Sequence, residues 1–321
     1  MKTLSPSLET LPPPPAGKTG WPWTEAGPSS ENSARVSIVM PCYNAVTYIE
    51  ESIRSVLLQG LPNVEFIVID GGSSDGSVDI IEKYAPWITY WISEPDKGQS
   101  DAINKGLAKC TGDYFNWHNG DDVLLPGSLI ETLTAFEQYP DALYISRRRL
   151  YVHPDGRVDP KSDLPPSCLY DLRTALLSGC PGPQPGSLMR MDQVKAAGGV
   201  DINFVCCMDE ELMMKLRLQG PGYILQNPGI LFRIHPEQQS TLLIKERIAE
   251  KNLIIESSFN ALPADHPLKY LHPSARICAA QHAMRLCQKQ QKKMNAFKWY
   301  LKSQWLIWRE QKAGRPIEWV D

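Results

Sequence analysis

Between Val36 and His118 two kinds of segment alternate. A short apolar, β-branched run ends in small polar residues, and a stretch with its apolar residues on one helical face follows. The apolar runs are Val36 to Pro41, Val64 to Ile69, Ile88 to Ser93 and Asp113 to His118. Between them lie Tyr48 to Leu58, Val78 to Tyr84 and Ser100 to Lys109. In the first of these, Ile49, Ile53, Val56 and Leu57 share a face. Alternation at this spacing marks βαβ units, whose crossovers force neighbouring strands to run parallel. An α/β fold with a mostly parallel, Rossmann-like sheet flanked by helices is therefore expected. In such sheets ligands lie beyond the carboxyl ends of the strands. The polar stops at Asn44, Asp70, Glu94 to Asp96 and Asn119 to Asp122 fall there.

After Pro126 come a helix over Ser128 to Gln138 and a strand over Ala142 to Tyr151, then a proline-rich loop over Pro160 to Pro185. Helices over Gln193 to Ala197 and Asp209 to Gln219 precede a strand over Tyr223 to Ile234. Beyond Leu242 the chain reads as helices. The expected division is thus a tail over 1–34, an α/β domain over 35–240 and a helical extension over 241–321. The tail is rich in Pro, Gly, Ser and Thr and poor in aliphatic residues. On composition it buries too little surface to offset its ordering entropy, so disorder is expected, with a partner-binding arm as the alternative.

Several function classes drop out. The net charge of -3 argues against a nucleic-acid binder. No apolar stretch approaches the roughly 18 residues that span a bilayer, and Met1 to Ser30 lacks the apolar core of a secretory leader. The eight cysteines are scattered without a C-x-x-C pair, which points to reduced thiols and a cytoplasmic setting. No G-x-G-x-x-G follows the first strand, no P-loop occurs, and no G-x-S-x-G elbow occurs. Phosphate handling then falls to a metal held by carboxylates.

Asp121 and Asp122 suit that role. Two adjacent carboxylates repel unless a cation neutralises them, and Mg²⁺ or Mn²⁺ shared with substrate phosphates does so with few protein ligands. The alternative is that the pair only caps the helix that follows. Asp209 stands at the expected start of a helix, whose N-terminus favours an ionised, proton-accepting carboxylate. A plain helix cap is the alternative there too.

Taken together, Val36 to Asn44, Val68-Ile-Asp-Gly-Gly-Ser-Ser-Asp75, Ser93 to Gly106, Asn119-Gly-Asp-Asp122, Met208-Asp-Glu210 and Arg233-Ile-His235 closely resemble the family 2 glycosyltransferases, in that family's order and spacing. The resemblance runs from about residue 35 to 240. It implies the GT-A fold and inverting transfer of a sugar from a nucleotide-diphospho sugar with Mn²⁺ or Mg²⁺. Residue by residue it implies Pro41, Tyr43 and Asn44 at the nucleotide edge and Asp70 accepting from the base. It places Asp121 on the ribose or sugar, Asp122 on the metal, Asp209 as general base and His235 facing the diphosphate. Arg233 and His235, two apart on a strand, would share a face toward phosphate. Lys97 and Lys105 read as solvated lysines, with donor binding as the alternative.

Two departures stand out. The family often has a second acid after Asp70, where this chain has Gly71. No Q-x-x-R-W motif of processive synthases occurs, which favours transfer of a single sugar. A UDP-hexose or UDP-N-acetylhexosamine donor, a sugar or lipid-linked acceptor and a role in surface polysaccharide or glycoconjugate assembly are the expected partners and setting. A nucleotidyltransferase would want a basic glycine loop after the first strand. A catalytically silent nucleotide-sugar-binding subunit would show no activity to lose.

Gln288 to Arg315 interleaves eight cations with Phe297, Trp299, Tyr300, Trp305, Leu306 and Trp308, against the single acid Glu310. Such a helix either lies in an anionic membrane interface or packs its aromatics on the domain and solvates its lysines.

Overall fold

Every residue of the first strand, β1 (Val36–Cys42), is buried, the pattern of a strand covered on both faces in a parallel sheet. A computed structural model describes residues 6–159, 171–289 and 293–319. After β1 come α1 (Ile49–Leu57), β2 (Val64–Asp70), α2 (Ser77–Tyr84), β3 (Tyr90–Ser93), α3 (Gln99–Leu107) and β4 (Tyr114–Trp117). Then follow β5 (Val123–Leu124), α4 (Ser128–Gln138), β6 (Tyr144–Val152), β7 (Val158–Asp159), α5 (Leu172–Ser178), β8 (Leu188–Arg190) and α6 (Met191–Ala196). The chain continues through α7 (Met208–Gln219), β9 (Gly222–Arg233), α8 (Gln239–Leu242), α9 (Ile244–Ala261), α10 (His272–Lys289) and α11 (Lys293–Lys312).

The sheet order is β3-β2-β1-β4-β8-β6-β9-β5, with β7 on β6. The β3-β2-β1-β4 half is parallel throughout, as the alternation requires. In the other half β8 runs antiparallel to β4 and β6, while β6 and β9 pair in parallel. Side chains alternate across β1 and β2. Ile38, Met40, Phe66 and Val68 enter one core, and Val39, Ile67 and Ile69 enter the other. Each such fully buried side chain contributes about 1.5–3 kcal/mol. Helix α3 lies unusually close to the sheet, since a Cβ on Gly106 would come within 2.4 Å of Val39 Cγ1.

Two expectations change. Helix α5 sits inside the stretch expected to be a proline-rich loop. Asp171 caps it by accepting from the Thr174 N–H at 2.7 Å, and Gly179 ends it in a left-handed turn. Residues 160–170 of that stretch lie outside the described residues. The second change concerns residues 6–34, which are laid against the α/β domain rather than disordered. Leu11 and Trp23 are buried, and Trp21 Nε1 donates to the Leu124 carbonyl at 2.8 Å. Arg54, fully buried on α1, donates to the carbonyls of Pro12, Pro22 and Trp23 at 2.8, 3.0 and 3.1 Å. The segment needs no core of its own. It lends large side chains to a core already present, and a guanidinium satisfies its backbone.

Arg54→Met is therefore expected to leave three carbonyls without a donor and cost about 3 kcal/mol. Urea denaturation would read that loss, and limited proteolysis would read earlier cleavage within residues 6–34.

Candidate active site

The ends of β1, β2, β4 and β9 carry most of the residues singled out by the sequence, Asp209 lies on α7, and the first turn of α3 ties two of the loops together. Gln99 Nε2 donates to Asn119 Oδ1 at 2.9 Å, and Ser100 Oγ donates to the Phe204 carbonyl at 2.6 Å. Neighbouring residues of one helical turn thus hold both the loop of Asp121 and the loop leading to Asp209.

Asp209 lies in the first turn of α7 and does not cap it. The helix begins at Met208, and the capping position is Cys207, which makes no side-chain cap. The simple cap reading is thereby removed. Burial and the neighbouring Glu210 push the Asp209 carboxyl up to about 6, partly opposed by Arg149 and Lys251. The loop before it is fixed by a residue the sequence reading missed. Glu250, buried on α9, accepts from the N–H groups of Val205, Cys206 and Cys207 at 2.7, 3.0 and 2.7 Å. Next along α9, Lys251 pairs with Glu210 at 2.6 Å. This draws the Glu210 carboxyl below its usual range. The paired cysteines thus serve as backbone donors.

Asp121 and His235 meet: Asp121 Oδ2 and His235 Nε2 are 2.9 Å apart, both partly exposed. The His235 ring leans on Tyr48 at 5.2 Å. Asp122 differs. It is fully buried, and its Oδ1 accepts from the Arg233 N–H at 3.1 Å. Burial first, and the Asp121 charge second, raise its carboxyl well above the usual range. His118, also buried, is pushed down to about 4 mainly by desolvation. Its neutral Nε2–H donates to the Asp122 carbonyl at 3.1 Å. The residue expected on the metal is thus the less accessible of the two. Asp122 is closed into the protein as an anchor between the β4 loop and β9, and Asp121 is the carboxylate open to a ligand. One carboxylate oxygen beside one imidazole nitrogen fits a divalent cation that takes its remaining ligands from substrate phosphates. Among the described residues no cluster of three or more His, Cys, Asp or Glu offers an all-protein cage.

Arg233 and His235 lie on the same side, both against the Tyr48 ring and Asp121, but the arginine is already engaged. Its guanidinium pairs with Glu51 at 2.8 Å, donates to the Asp121 carbonyl at 2.6 Å and covers the Tyr48 ring at 5.2 Å. It braces the turn and is not free for phosphate.

Asp70 is also corrected. It is fully buried, and its carboxylate already accepts from the Gly72 and Ser73 N–H groups at 3.0 and 2.9 Å and from the Ser73 and Ser93 hydroxyls. It shapes the β2 turn and has little left for a base. The acid missing at position 71 has a spatial substitute. A Cβ on Gly71 would lie 2.7 Å from Asp96 Oδ2, so the Asp96 carboxylate fills the space a side chain there would take. Asp96 Oδ1 accepts from the Gly98 N–H at 2.8 Å. Linear sequence gave no signal of this, because the two residues meet only through the β2–β3 pairing.

Pro41 ends buried in β1, and the Tyr43 ring is 67% exposed just beyond it. Asn44, at φ 48°, ties two loops by donating its N–H to Ser73 Oγ and accepting from the Ser74 N–H. Lys97 is exposed, whereas Lys105 is bound to Glu94 at 2.8 Å.

The family model described as glycosyl transferase family 2 matches residues 37–192. An uncharacterised glycosyltransferase of Rickettsia typhi is 29% identical over 225 residues, covering 67% of this chain and 68% of that protein. In the next three curated relatives the match spans 39% to 49% of their length. Two solved structures share the fold. TarS 1–349 of S. aureus in complex with UDP-GlcNAc has a TM-score of 0.55 and 15% identity, over 88% of this chain and 93% of that one. The mannosyltransferase PcManGT from Pyrobaculum calidifontis, in complex with GDP-Man and Mn²⁺, has a TM-score of 0.56 and 16% identity, over 88% of each chain. The GT-A α/β fold expected from the sequence is the fold observed.

Proposed function

We propose that this chain, a family 2 glycosyltransferase across residues 37–192, moves one sugar with inversion from a UDP-sugar to an acceptor hydroxyl. The observation that carries this reading is Asp209. It is a carboxyl pushed up to about 6, in a loop held rigid by Glu250 and joined through one turn of α3 to the Asp121 loop. A base of that strength is matched to removing a hydroxyl proton near neutral pH.

In the reaction the acceptor oxygen bonds to the anomeric carbon while Asp209 takes its proton. The bond from that carbon to the diphosphate breaks, and the electron pair leaves with the phosphate oxygen. Attack from the face opposite the leaving group inverts the centre. A divalent cation held by Asp121 and His235 would neutralise charge developing on the diphosphate. Hexose or N-acetylhexosamine is the sugar favoured. Assembly of a surface polysaccharide or glycoconjugate on a cytoplasmic membrane face is the setting.

Asp96 favours uracil, or thymine with the same pairing edge, over guanine. Its Oδ1 is engaged by the Gly98 N–H, which leaves Oδ2 as the open acceptor. The pairing edge of uracil offers one N–H, whereas that of guanine offers two and calls for both oxygens. The Tyr43 ring, 67% exposed beyond the end of β1, offers an apolar surface for the base.

Thermal-shift titration with UDP-, GDP- and dTDP-sugars, with and without Mn²⁺, tests the reading. UDP-sugars with Mn²⁺ are expected to raise the melting temperature, because they bind only the folded chain. Asp96→Ala is expected to weaken UDP binding by about tenfold, the loss of one charge-assisted hydrogen bond. Gly71→Asp alone should also weaken it by crowding Asp96, and Gly71→Asp combined with Asp96→Gly should restore it. Unchanged binding in Asp96→Ala would remove the base assignment alone. No stabilisation of the wild-type chain by any nucleotide sugar would remove the transfer reading.

A further inference from the structure

Helix α11 carries two apolar stripes on opposite sides. Ala296, Trp299, Ser303, Leu306 and Glu310 face inward, with Ala296 and Leu306 in the packed clusters beside α9 and α10. Met294, Phe297, Leu301, Trp305 and Trp308 form the second stripe, each 51–74% exposed. At about 100° per residue the two sets point in opposite directions. The inward stripe meets the helix's packing needs, so the outward one has no folding role. A continuous exposed row of this kind marks an interaction surface.

The cations beside the row select the partner. Lys298, Lys302, Arg309 and Lys312 lie along one flank of the exposed stripe. Arg309 and Lys312 cover the rings of Trp305 and Trp308 at 5.1 and 5.0 Å. Glu310, the one acid of the helix, is buried and offsets Arg309 and Arg315, which leaves Lys298, Lys302 and Lys312 as the uncompensated charges of the flank. Beside the stripe, α9 and α11 enclose a cleft of about 440 Å³ floored by Ile244, Ile248 and Trp299. Lys245, Lys298 and Lys302 stand on its wall, and none of the three makes an ion pair among the described residues. The cleft calls for an anion with an apolar body. A second copy of the chain would set this cationic row against its own like charges.

We propose that α11 and its cleft dock on an anionic phospholipid bilayer, with the aromatic row entering the interface and the lysines taking lipid phosphates. The proposal adds a surface to the transfer reading without depending on it, because vesicle binding is scored with no sugar donor present. No helix among the described residues is long and apolar enough to cross a membrane, so the contact is made along the plane of the interface.

Flotation of the full chain with phosphatidylcholine vesicles, with and without phosphatidylglycerol, tests this. Binding is expected only with phosphatidylglycerol and should weaken as salt rises. Trp305→Ser with Trp308→Ser should cut partitioning at least about tenfold. Lys298→Gln with Lys302→Gln should cut it about fivefold per cation removed. Melting temperatures should fall only slightly, because the changes remove just the cation–ring contacts of Lys302 with Trp299 and of Arg309 and Lys312 with the two tryptophans. Absence of binding to anionic vesicles would overturn the proposal, as would binding indifferent to both pairs of changes. A wild-type dimer in light scattering that the tryptophan variant converts to monomer would assign the face to a second copy and also overturn it.

Discussion

Asp209→Asn is expected to lower kcat by about 10²–10⁴-fold, the span that general-base catalysis covers, with nucleotide affinity within about twofold of wild type. The asparagine keeps the shape at the first turn of α7 and loses the proton-accepting lone pair. A residue that only stabilised the helix start would instead show its loss in melting temperature. The pH profile separates the two roles further. Asp209 must be ionised to act, and burial with Glu210 beside it pushes its carboxyl up to about 6. In the wild type, kcat/KM should therefore rise about tenfold per pH unit below that value and level off above it. In Asp209→Asn this limb should disappear. A variant that keeps both the rate and the acid limb would show that another group accepts the proton.

The second large effect separates the two adjacent aspartates. Asp121→Asn is expected to raise the Mn²⁺ concentration needed for half-maximal activity by about 10²-fold, since one of the two proposed protein ligands is weakened. Asp122→Asn should leave that requirement within about threefold of wild type. Its carboxylate accepts the Arg233 N–H inside the protein, and an amide oxygen accepts the same bond. Metal titrations of activity, paired with direct Mn²⁺ binding followed by electron paramagnetic resonance, would read both variants. Equal loss in the two, or loss in Asp122→Asn alone, would return the ligand role to Asp122 and contradict the geometry of the Asp121–His235 pair.

Those two aspartates show where reading residues in order stops. Their position after β4 follows from local pattern, because an apolar run closed by Asn119 and Gly120 can only end a strand and turn. Which carboxylate stays partly exposed depends on β9, more than a hundred residues later in the chain, whose Arg233 N–H captures Asp122 and whose following His235 reaches Asp121. Asp70 gives the same lesson. Its place at the end of β2 was legible, and the turn amides and Ser73 that bind it lie within three residues, while the Ser93 hydroxyl joins them only once β3 is paired beside it. Local composition also failed for residues 6–34. Disorder is a statement about a segment's own core, and Arg54 with Trp23 shows that a segment can borrow one.

By itself, then, the sequence determined the α/β alternation, the strand ends on which the site is built and the identity of Asp209, Asp121 and His235 as candidates. These rest on short-range periodicity and turn chemistry, which act within a few residues. The tertiary structure alone decided that Asp96 stands in for an acid at position 71, that Glu250 holds the base loop and that Arg233 braces Asp121. It also decided that the aromatic row of α11 faces outward. Each of those depends on which distant segment the packed sheet brings alongside, and that information is carried by burial and hydrogen-bond completion across the whole chain, not by any local run of residues.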